Sequence, residues 1–127
     1  MSSKPNIILI DDDADEAELL YDALQSVLSS PLTFHSFTNG YEAIKFIIEE
    51  NNIPDIIFLD LNLPILSGKE ILKTLRSSPL SLTTPVIIYS TTITKQDVDE
   101  IKEFGVKHYF QKPNSFTELC NTLRAYL

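Results

Sequence analysis

The sequence predicts a parallel α/β sandwich, in which helices cover both faces of a five-stranded sheet. Five short apolar runs alternate with stretches whose apolar residues recur at helical spacing. Three of the runs, over residues 7–10, 56–59 and 86–89, are apolar at successive positions, which is typical of strands buried on both faces. A chain of 127 residues is long enough for one core, so 1–127 is expected to be a single domain.

Strands are assigned to the apolar runs and to the residues that complete them before the next turn. They cover residues 6–10, 32–37, 55–60, 85–90 and 107–110. Helices are assigned where apolar residues lie three and four positions apart and share one face. Gly105 is expected to end the fourth helix, and Cys120, the single cysteine, is expected to pack in the core. The helical stripes comprise Ala17, Leu20, Ala23, Leu24, Val27 and Leu28; Ala43, Ile44 and Ile47; Ile71, Leu72 and Leu75; Val98, Ile101 and Phe104; and Phe116, Leu119, Cys120, Leu123 and Leu127.

This alternation, written (βα)5, requires right-handed crossovers that place helices on both sides of the sheet. The expected topology is a flavodoxin-like, doubly wound parallel five-stranded sheet with strand order 2-1-3-4-5 inside a three-layer sandwich. Strands 1 and 3 are neighbours in this order, and ligands bind outside their carboxyl ends. Side chains that directly follow the strands are therefore the first candidates for a functional site.

Composition argues against several classes of function. The formal net charge is −8, from 18 acidic and 10 basic residues, which disfavours direct binding of nucleic acid. No apolar stretch approaches the roughly 18 residues that a membrane span requires. We therefore expect a cytoplasmic protein that contacts neither nucleic acid nor membrane.

Carboxylates follow the first and third predicted strands. Asp11, Asp12 and Asp13 follow the first, and Asp60 ends the third. If the two strands are neighbours, these carboxylates meet and repel one another unless a cation joins them. Oxygen ligands on an exposed loop suit Mg²⁺, which at such clusters usually also recruits phosphoryl oxygens. Asp60 is thus a candidate nucleophile toward phosphorus.

Two further polar side chains lie where the fourth and fifth strands end. Ser90 supplies a hydroxyl, and Lys112, followed by Pro113, supplies an ammonium. Both would face the same crevice as the carboxylates and pair with phosphoryl oxygens there. Carboxylate, metal, hydroxyl and ammonium together make a complete phosphate site.

In this order and spacing, the residues resemble the signature of the receiver domains of two-component response regulators. The resemblance covers the chain from end to end, and its specificity comes from the five elements together. The matching elements are Asp11 and Asp12; Asp60-x-x-x-Pro64-x-x-x-Gly68; Ser90; and Lys112-Pro113.

The resemblance implies that Asp60 takes a phosphoryl group from the phosphohistidine of a histidine kinase. Mg²⁺ would be held by Asp12 and Asp60, by Asp11 partly through water, and by the backbone carbonyl of Asn62. The domain would catalyse this transfer and slowly hydrolyse its own acyl phosphate. It would therefore be a signalling domain rather than a turnover enzyme.

In the same family, the hydroxyl at the Ser90 position and the aromatic ring at the Tyr109 position reorient on phosphorylation. This reshapes the face of helix 4, strand 5 and helix 5, which then selects a partner. The expected partners are a histidine kinase or histidine phosphotransfer domain and a downstream protein target, with the chain a monomer or a phosphorylation-dependent homodimer. Starting at Met1 and lacking a linker, the sequence favours a stand-alone regulator, similar to those paired with phytochrome-type and other hybrid kinases.

The run of three acids leaves one register open. The metal pair is either Asp11 and Asp12, which the apolar run favours, or Asp12 and Asp13. In the favoured register, Asp13 caps or begins the first helix. Thr91, next to Ser90, is bulkier than the small residue usual in the family, and we expect it to screen the phosphoryl group from water.

Two alternative functions remain beside the receiver. One is a constitutive binding module that kept the fold but lost phosphorylation, which the presence of every motif residue argues against. The other is a Mg²⁺-dependent phosphatase of the haloacid-dehalogenase type, which uses Asp-x-Asp, whereas Asn62 stands at the second position here. An EF-hand is rejected because Glu16 replaces the required Gly and Asp22 replaces the bidentate Glu.

Overall fold

The computed structural model describes residues 4–78 and 84–127 and contains the predicted sheet. All strand pairs are parallel, and the order is β2-β1-β3-β4-β5, which confirms the predicted topology. β1 and β3 are neighbours in register, with Ile10 opposite Leu59. The strands are β1 Asn6–Ile10, β2 Thr33–Phe37, β3 Ile56–Leu59, β4 Val86–Ser90 and β5 His108–Gln111.

Five helices connect and follow the strands, and each begins at a polar cap. In every case, the capping side chain accepts a hydrogen bond from a backbone amide of the first turn, which satisfies a donor that the helix itself leaves free. The caps are Asp13, Asn39, Ser67, Thr94 and Ser115. The helices are α1 Ala14–Leu28, α2 Gly40–Ile44 with a π-helical continuation Lys45–Glu49, α3 Gly68–Ser77, α4 Lys95–Lys102 and α5 Phe116–Tyr126.

The sheet separates two apolar layers, as expected for strands covered on both faces. Alternate residues of β1 point to opposite sides, so that Ile8 packs with α2, α3 and α4 while Leu9 packs with α1 and α5. Cys120 is buried in the second layer, as predicted. Because helices cover both faces of the sheet, the edge formed by the carboxyl ends of the strands is where a ligand can bind.

The observed element ends correct the predictions at several residues. Four strands differ by one residue at one or both ends; β4, for example, begins after Pro85, which has no amide hydrogen to donate to the ladder. Both ends of the predicted α5 stripe are solvent-exposed, since Phe116 is 41% and Leu127 42% accessible. Across the described ranges, no helix combines the length and the apolarity that crossing a membrane demands.

Candidate functional site

Backbone hydrogen bonds continue past the strand ends and hold the two buried acids in place. The amide of Asp60 donates to the carbonyl of Ile10 at 3.0 Å, and the amide of Asp11 donates to the carbonyl of Phe37 at 3.0 Å. Both acids therefore continue the parallel ladder by one residue. This is why two carboxylates from neighbouring strands face each other at one edge of the sheet.

Three carboxylates meet at this edge. One oxygen from each of Asp11, Asp12 and Asp60 lies within 4.8 Å of the others. Asp12 is exposed, whereas Asp11 and Asp60 are only 2% and 4% accessible. Oxygens on opposite sides of a Mg²⁺ ion are about 4.2 Å apart, so the cluster fits this ion after a small closure.

The Asp11 carboxylate is buried beside Lys112. Its Oδ2 atom is buried and accepts no hydrogen bond of good geometry from the described residues, although the ammonium of Lys112 lies 2.7 Å away. Burial raises the pKa of Asp11; Lys112 opposes this shift, and the nearby charge of Asp60 adds to it. A second positive charge at this edge would offset the cost of burying the carboxylate.

Asp13 lies outside this cluster. Its carboxylate accepts a hydrogen bond from the amide of Asp15 at 2.9 Å and caps α1, as the favoured register predicted. Its own amide donates to Asp11 Oδ1 at 3.0 Å, which helps to orient the Asp11 carboxylate. The structure thus brings together Asp11 and Asp12 rather than Asp12 and Asp13.

Lys112 places its ammonium over the acids from the neighbouring strand end. Its amide donates to the carbonyl of Ser90 at 2.9 Å, which extends the β4–β5 pairing to this residue. The Nζ atom lies 2.7 Å from Asp11 Oδ2 and 3.5 Å from Asp60 Oδ2. Burial lowers the pKa of Lys112, but Asp11, Asp60 and Glu16 together outweigh it and raise the lysine pKa, so the ammonium stays charged.

Ser90 and Asn62 complete the surroundings of Asp60. The Ser90 hydroxyl, fully buried, donates to Asp60 Oδ1 at 2.8 Å and accepts a hydrogen bond from the Asn62 side chain at 3.0 Å. The backbone amide of Asn62 donates to the same Oδ1 atom at 2.9 Å. Oδ1 is therefore held by two donors, while Oδ2 faces Lys112.

The loop after Asp60 is closed tightly against it by Gly68. The Gly68 amide donates to the carbonyl of Leu61 at 3.1 Å. A Cβ atom at this position would lie 2.3 Å from the carbonyl oxygen of Asp60 and 2.6 Å from the Cα of Leu61. Only glycine allows this approach without moving the backbone that carries the acid.

Sequence reasoning missed two residues beneath the site, Tyr89 and Glu16. Tyr89 is 1% accessible, and its hydroxyl donates to Glu16 Oε2 on α1 at 2.9 Å. Burial first, and then Glu16, raise the pKa of this hydroxyl, which remains protonated. Lys112 Nζ lies 5.4 Å from the centre of the Tyr89 ring, within the range of a cation–π contact. Tyr89 therefore ties α1 to the site and supports the lysine.

Two other predicted residues are Thr91, directly after β4, and Tyr109, within β5. Thr91 follows Ser90 and is exposed, and its screening of the site stays a prediction. Tyr109 is half-buried against the layer of α2, α3 and α4, and its backbone carbonyl accepts a hydrogen bond from Tyr126. Its role as a switch stays a prediction.

Comparison with known proteins gives one family. The model of the response regulator receiver domain matches residues 7–124. The chain is 34% identical over 89 residues to the polar-differentiation response regulator DivK of Brucella anthropi, a match that covers 70% of this chain and 71% of that protein.

Solved structures give the same result. The phosphorylated cyanobacterial phytochrome response regulator RcpA superposes with a TM-score of 0.86 at 28% identity, covering 98% of this chain and 91% of that one. The Mn²⁺-bound form of response regulator Rcp1 superposes with a TM-score of 0.79 at 26% identity, covering 95% of this chain and 90% of that one.

Proposed function

Because the chain belongs to the family of response regulator receiver domains, which act in two-component signalling, we propose that it is a phosphorylation-switched module with Asp60 as phosphoacceptor. The observation that carries the proposal is the convergence of Ser90 and Lys112 on the two oxygens of Asp60. A buried structural acid would also need a partner, but one such group would be enough to offset its charge. An acid that gains phosphoryl charge would use both.

In the proposed reaction, Asp60 Oδ2 attacks the phosphorus of a phosphohistidine in line with the phosphorus–nitrogen bond. The oxygen–phosphorus bond forms while the phosphorus–nitrogen bond breaks, and the imidazole nitrogen leaves with the bonding electrons. The two hydrogen bonds to Oδ1 fix the rotation of the carboxylate, so that Oδ2 is presented to the donor.

Asp11, Asp12 and Asp60, with the backbone carbonyl of Asn62, would hold Mg²⁺. When bound, the ion supplies charge neutralisation for phosphoryl oxygens and for the carboxylates themselves. The Mn²⁺-bound form of the similar regulator Rcp1 supports a divalent site in this fold. Lys112, charged and already directed at Asp60, would pair with a phosphoryl oxygen after transfer.

Phosphorylation would then alter Ser90. Its single proton is used in the bond to Asp60 Oδ1, so the hydroxyl must turn to donate to a phosphoryl oxygen, and the contact with Asn62 must change. Tyr109, which pairs with Ile88 two residues before Ser90, would follow and reshape the face of α4, β5 and α5. That face would select the downstream protein target.

Transfer from an autophosphorylated histidine kinase tests the proposal. The kinase is radiolabelled, freed of nucleotide and mixed with this chain in the presence of Mg²⁺ or of a chelator. We expect label to move to the chain only with Mg²⁺, and only in the parent protein. Equal labelling of Asp60→Asn would reject Asp60 as the acceptor, whereas equal labelling of Asp55→Asn, an exposed acid before β3, is the expected control.

A further inference from the structure

Ile65 combines an uncommon backbone conformation with high exposure of its side chain. Its φ is +67°, in the left-handed region that β-branched residues rarely adopt. The amide of Leu66 donates to the carbonyl of Pro64 at 2.7 Å, so the three residues form the rarer and more strained kind of γ-turn. Asparagine or glycine would hold this backbone with less strain.

Packing of the Ile65 side chain does not offset the energetic cost of the strained turn. This side chain is 84% accessible, the most exposed of the large apolar side chains in the described residues. The three leucines of the same loop are packed instead: Leu61 and Leu63 are buried in the core, and Leu66 packs against it. Ile65 is the apolar residue of this loop that is turned outward.

The loop places Ile65 at the rim of the phosphoacceptor site. The loop leaves the sheet at Asp60 and returns at Gly68, whose backbone lies against the Asp60 carbonyl. Ile65 is three residues from Gly68, so their Cα atoms are at most about 11 Å apart. A protein that brings a phosphorylated side chain to Asp60 therefore comes within reach of the turn that carries Ile65.

We propose that Ile65 is an apolar anchor for the protein phosphodonor, held outward by a strained turn so that it is buried when the donor's phosphohistidine reaches Asp60. The inference rests on the proposed function and names the residue that recognises the donor. Its partner would be an apolar surface next to the phosphohistidine. Apolar anchors that become buried at the centre of an interface contribute disproportionately to binding.

The phosphodonor is a better candidate than the downstream target for the protein that covers Ile65. The proposed output face lies on α4, β5 and α5, whereas Ile65 lies in the β3–α3 loop. A donor must approach the acceptor through this rim for the chemistry to occur. A downstream target that binds the face of α4, β5 and α5 does not need to approach the acceptor.

The test separates protein donors from small ones. Autophosphorylated histidine kinases are screened for transfer to the parent chain, and the fastest is used with Ile65→Asn and Ile65→Leu. We expect Asn to lower kcat/KM for this transfer by about tenfold, as loss of one buried anchor would, and Leu to retain most of it. Labelling by acetyl phosphate should stay the same in all three proteins.

The matched control is Ile53→Asn. Ile53 is 39% accessible and precedes β3, so it lies toward the opposite edge of the sheet. We expect this variant to transfer at the parent rate. In addition, Ile65→Asn should raise Tm by about 2 to 4 °C, because Asn relieves the turn, while Ile53→Asn should not.

Each contrary outcome has its own meaning. Unchanged protein-to-protein transfer in Ile65→Asn, with acetyl phosphate still labelling Asp60, would overturn the anchor and leave the proposed function intact. No rise in Tm for Ile65→Asn would overturn the premise of a strained turn. Loss of target binding with normal transfer would assign Ile65 to the output instead. If acetyl phosphate labels no variant at Asp60, the proposed function itself fails.

Discussion

At the scale of single residues, the site holds more negative than positive charge, and a cation would neutralise the excess. Asp11 and Asp60 are nearly inaccessible and share one ammonium, that of Lys112. Burying two carboxylates against one lysine leaves a net negative charge, which raises the energy of the free site. The same imbalance would favour the binding of a metal ion.

Replacing Lys112 with Ala tests this balance. In the absence of metal, we expect the free energy of unfolding to fall by about 3 kcal/mol, because Asp11 loses its counter-charge in a buried position. Saturating Mg²⁺ should recover part of the loss, since the ion neutralises the same carboxylates. Chemical denaturation with and without Mg²⁺ measures both effects.

The control for this prediction is Lys107→Ala. Lys107 is exposed and lies just before β5, at the other end of the strand from Lys112. This change should leave the free energy of unfolding nearly unaltered. Equal losses for the two lysines would contradict the account of the buried ion pair.

Thr91 belongs to the same scale. Its exposed side chain follows the buried Ser90, and we expect it to hinder water from reaching the phosphoryl group. Replacing Thr91 with Ala should therefore accelerate loss of the phosphoryl group several-fold, which a time course of the purified phosphorylated protein would reveal. An unchanged half-life would reject the screening role, and Thr92→Ala, at the next exposed position, is the control.

At the scale of elements, the ends of strands explain most of the site. Each parallel strand delivers its next side chain to the same edge, and backbone hydrogen bonds from Asp11, Asp60 and Lys112 continue the ladders past the strands proper. The β3–α3 loop then returns to Asp60 through Gly68. The acid is thus clamped by its own strand on one side and by the start of α3 on the other.

Gly68→Ala tests the clamp. The added Cβ would collide with the backbone of Asp60 and Leu61, so the loop must shift, at a cost of about 2 kcal/mol. We expect phosphorylation by acetyl phosphate to slow as well, because Asp60 moves with the loop. Thermal denaturation and the labelling rate check the two expectations.

Gly105→Ala is the matched control. Gly105 has a φ of +77° but nothing within 4 Å of an added Cβ, so alanine there introduces backbone strain without a collision. This variant should lose some stability and keep the parent labelling rate. A normal labelling rate in Gly68→Ala would contradict the proposed clamp.

The sequence predicted what strand order dictates, and it missed what depends on side-chain reach. Asp11, Asp12, Asp60, Ser90 and Lys112 lie where predicted strands end, and their meeting is a consequence of topology. The contact between Tyr89 and Glu16 joins residues 73 positions apart. This contact depends on the rotation of α1 about its own axis. The spacing of apolar residues predicts that rotation too imprecisely to identify the contact. The strained turn at Ile65 and the π-helical end of α2 likewise have no composition signal.

At the scale of the whole molecule, the two apolar layers are continuous and the acidic site lies at their edge. A ligand that binds the folded state alone stabilises the whole domain. We therefore expect Mg²⁺ to raise the free energy of unfolding, by about 2.7 kcal/mol at a hundredfold excess over its Kd. Denaturation over a series of Mg²⁺ concentrations measures this increment.

A variant of Asp12 distinguishes Mg²⁺ binding at the three-carboxylate cluster from other effects of the ion, because Asp12 is exposed and belongs to this cluster. Asp12→Asn should abolish most of the stabilisation by Mg²⁺ while the fold is retained. Asp22→Asn, an exposed acid of α1, should leave it unchanged. The same response to Mg²⁺ in both variants would show that the ion binds elsewhere or acts only by screening charge.

The central claim is that Asp60 carries the phosphoryl group, and chemical identification of the modified residue tests it most directly. The chain is phosphorylated with acetyl phosphate and Mg²⁺, the acyl phosphate is reduced with borohydride, and the digested peptides are sequenced by mass spectrometry. We predict reduction of Asp60 to homoserine, dependent on Mg²⁺. Reduction at another acid, or an unmodified Asp60 in a chain that carries phosphate, would contradict the account.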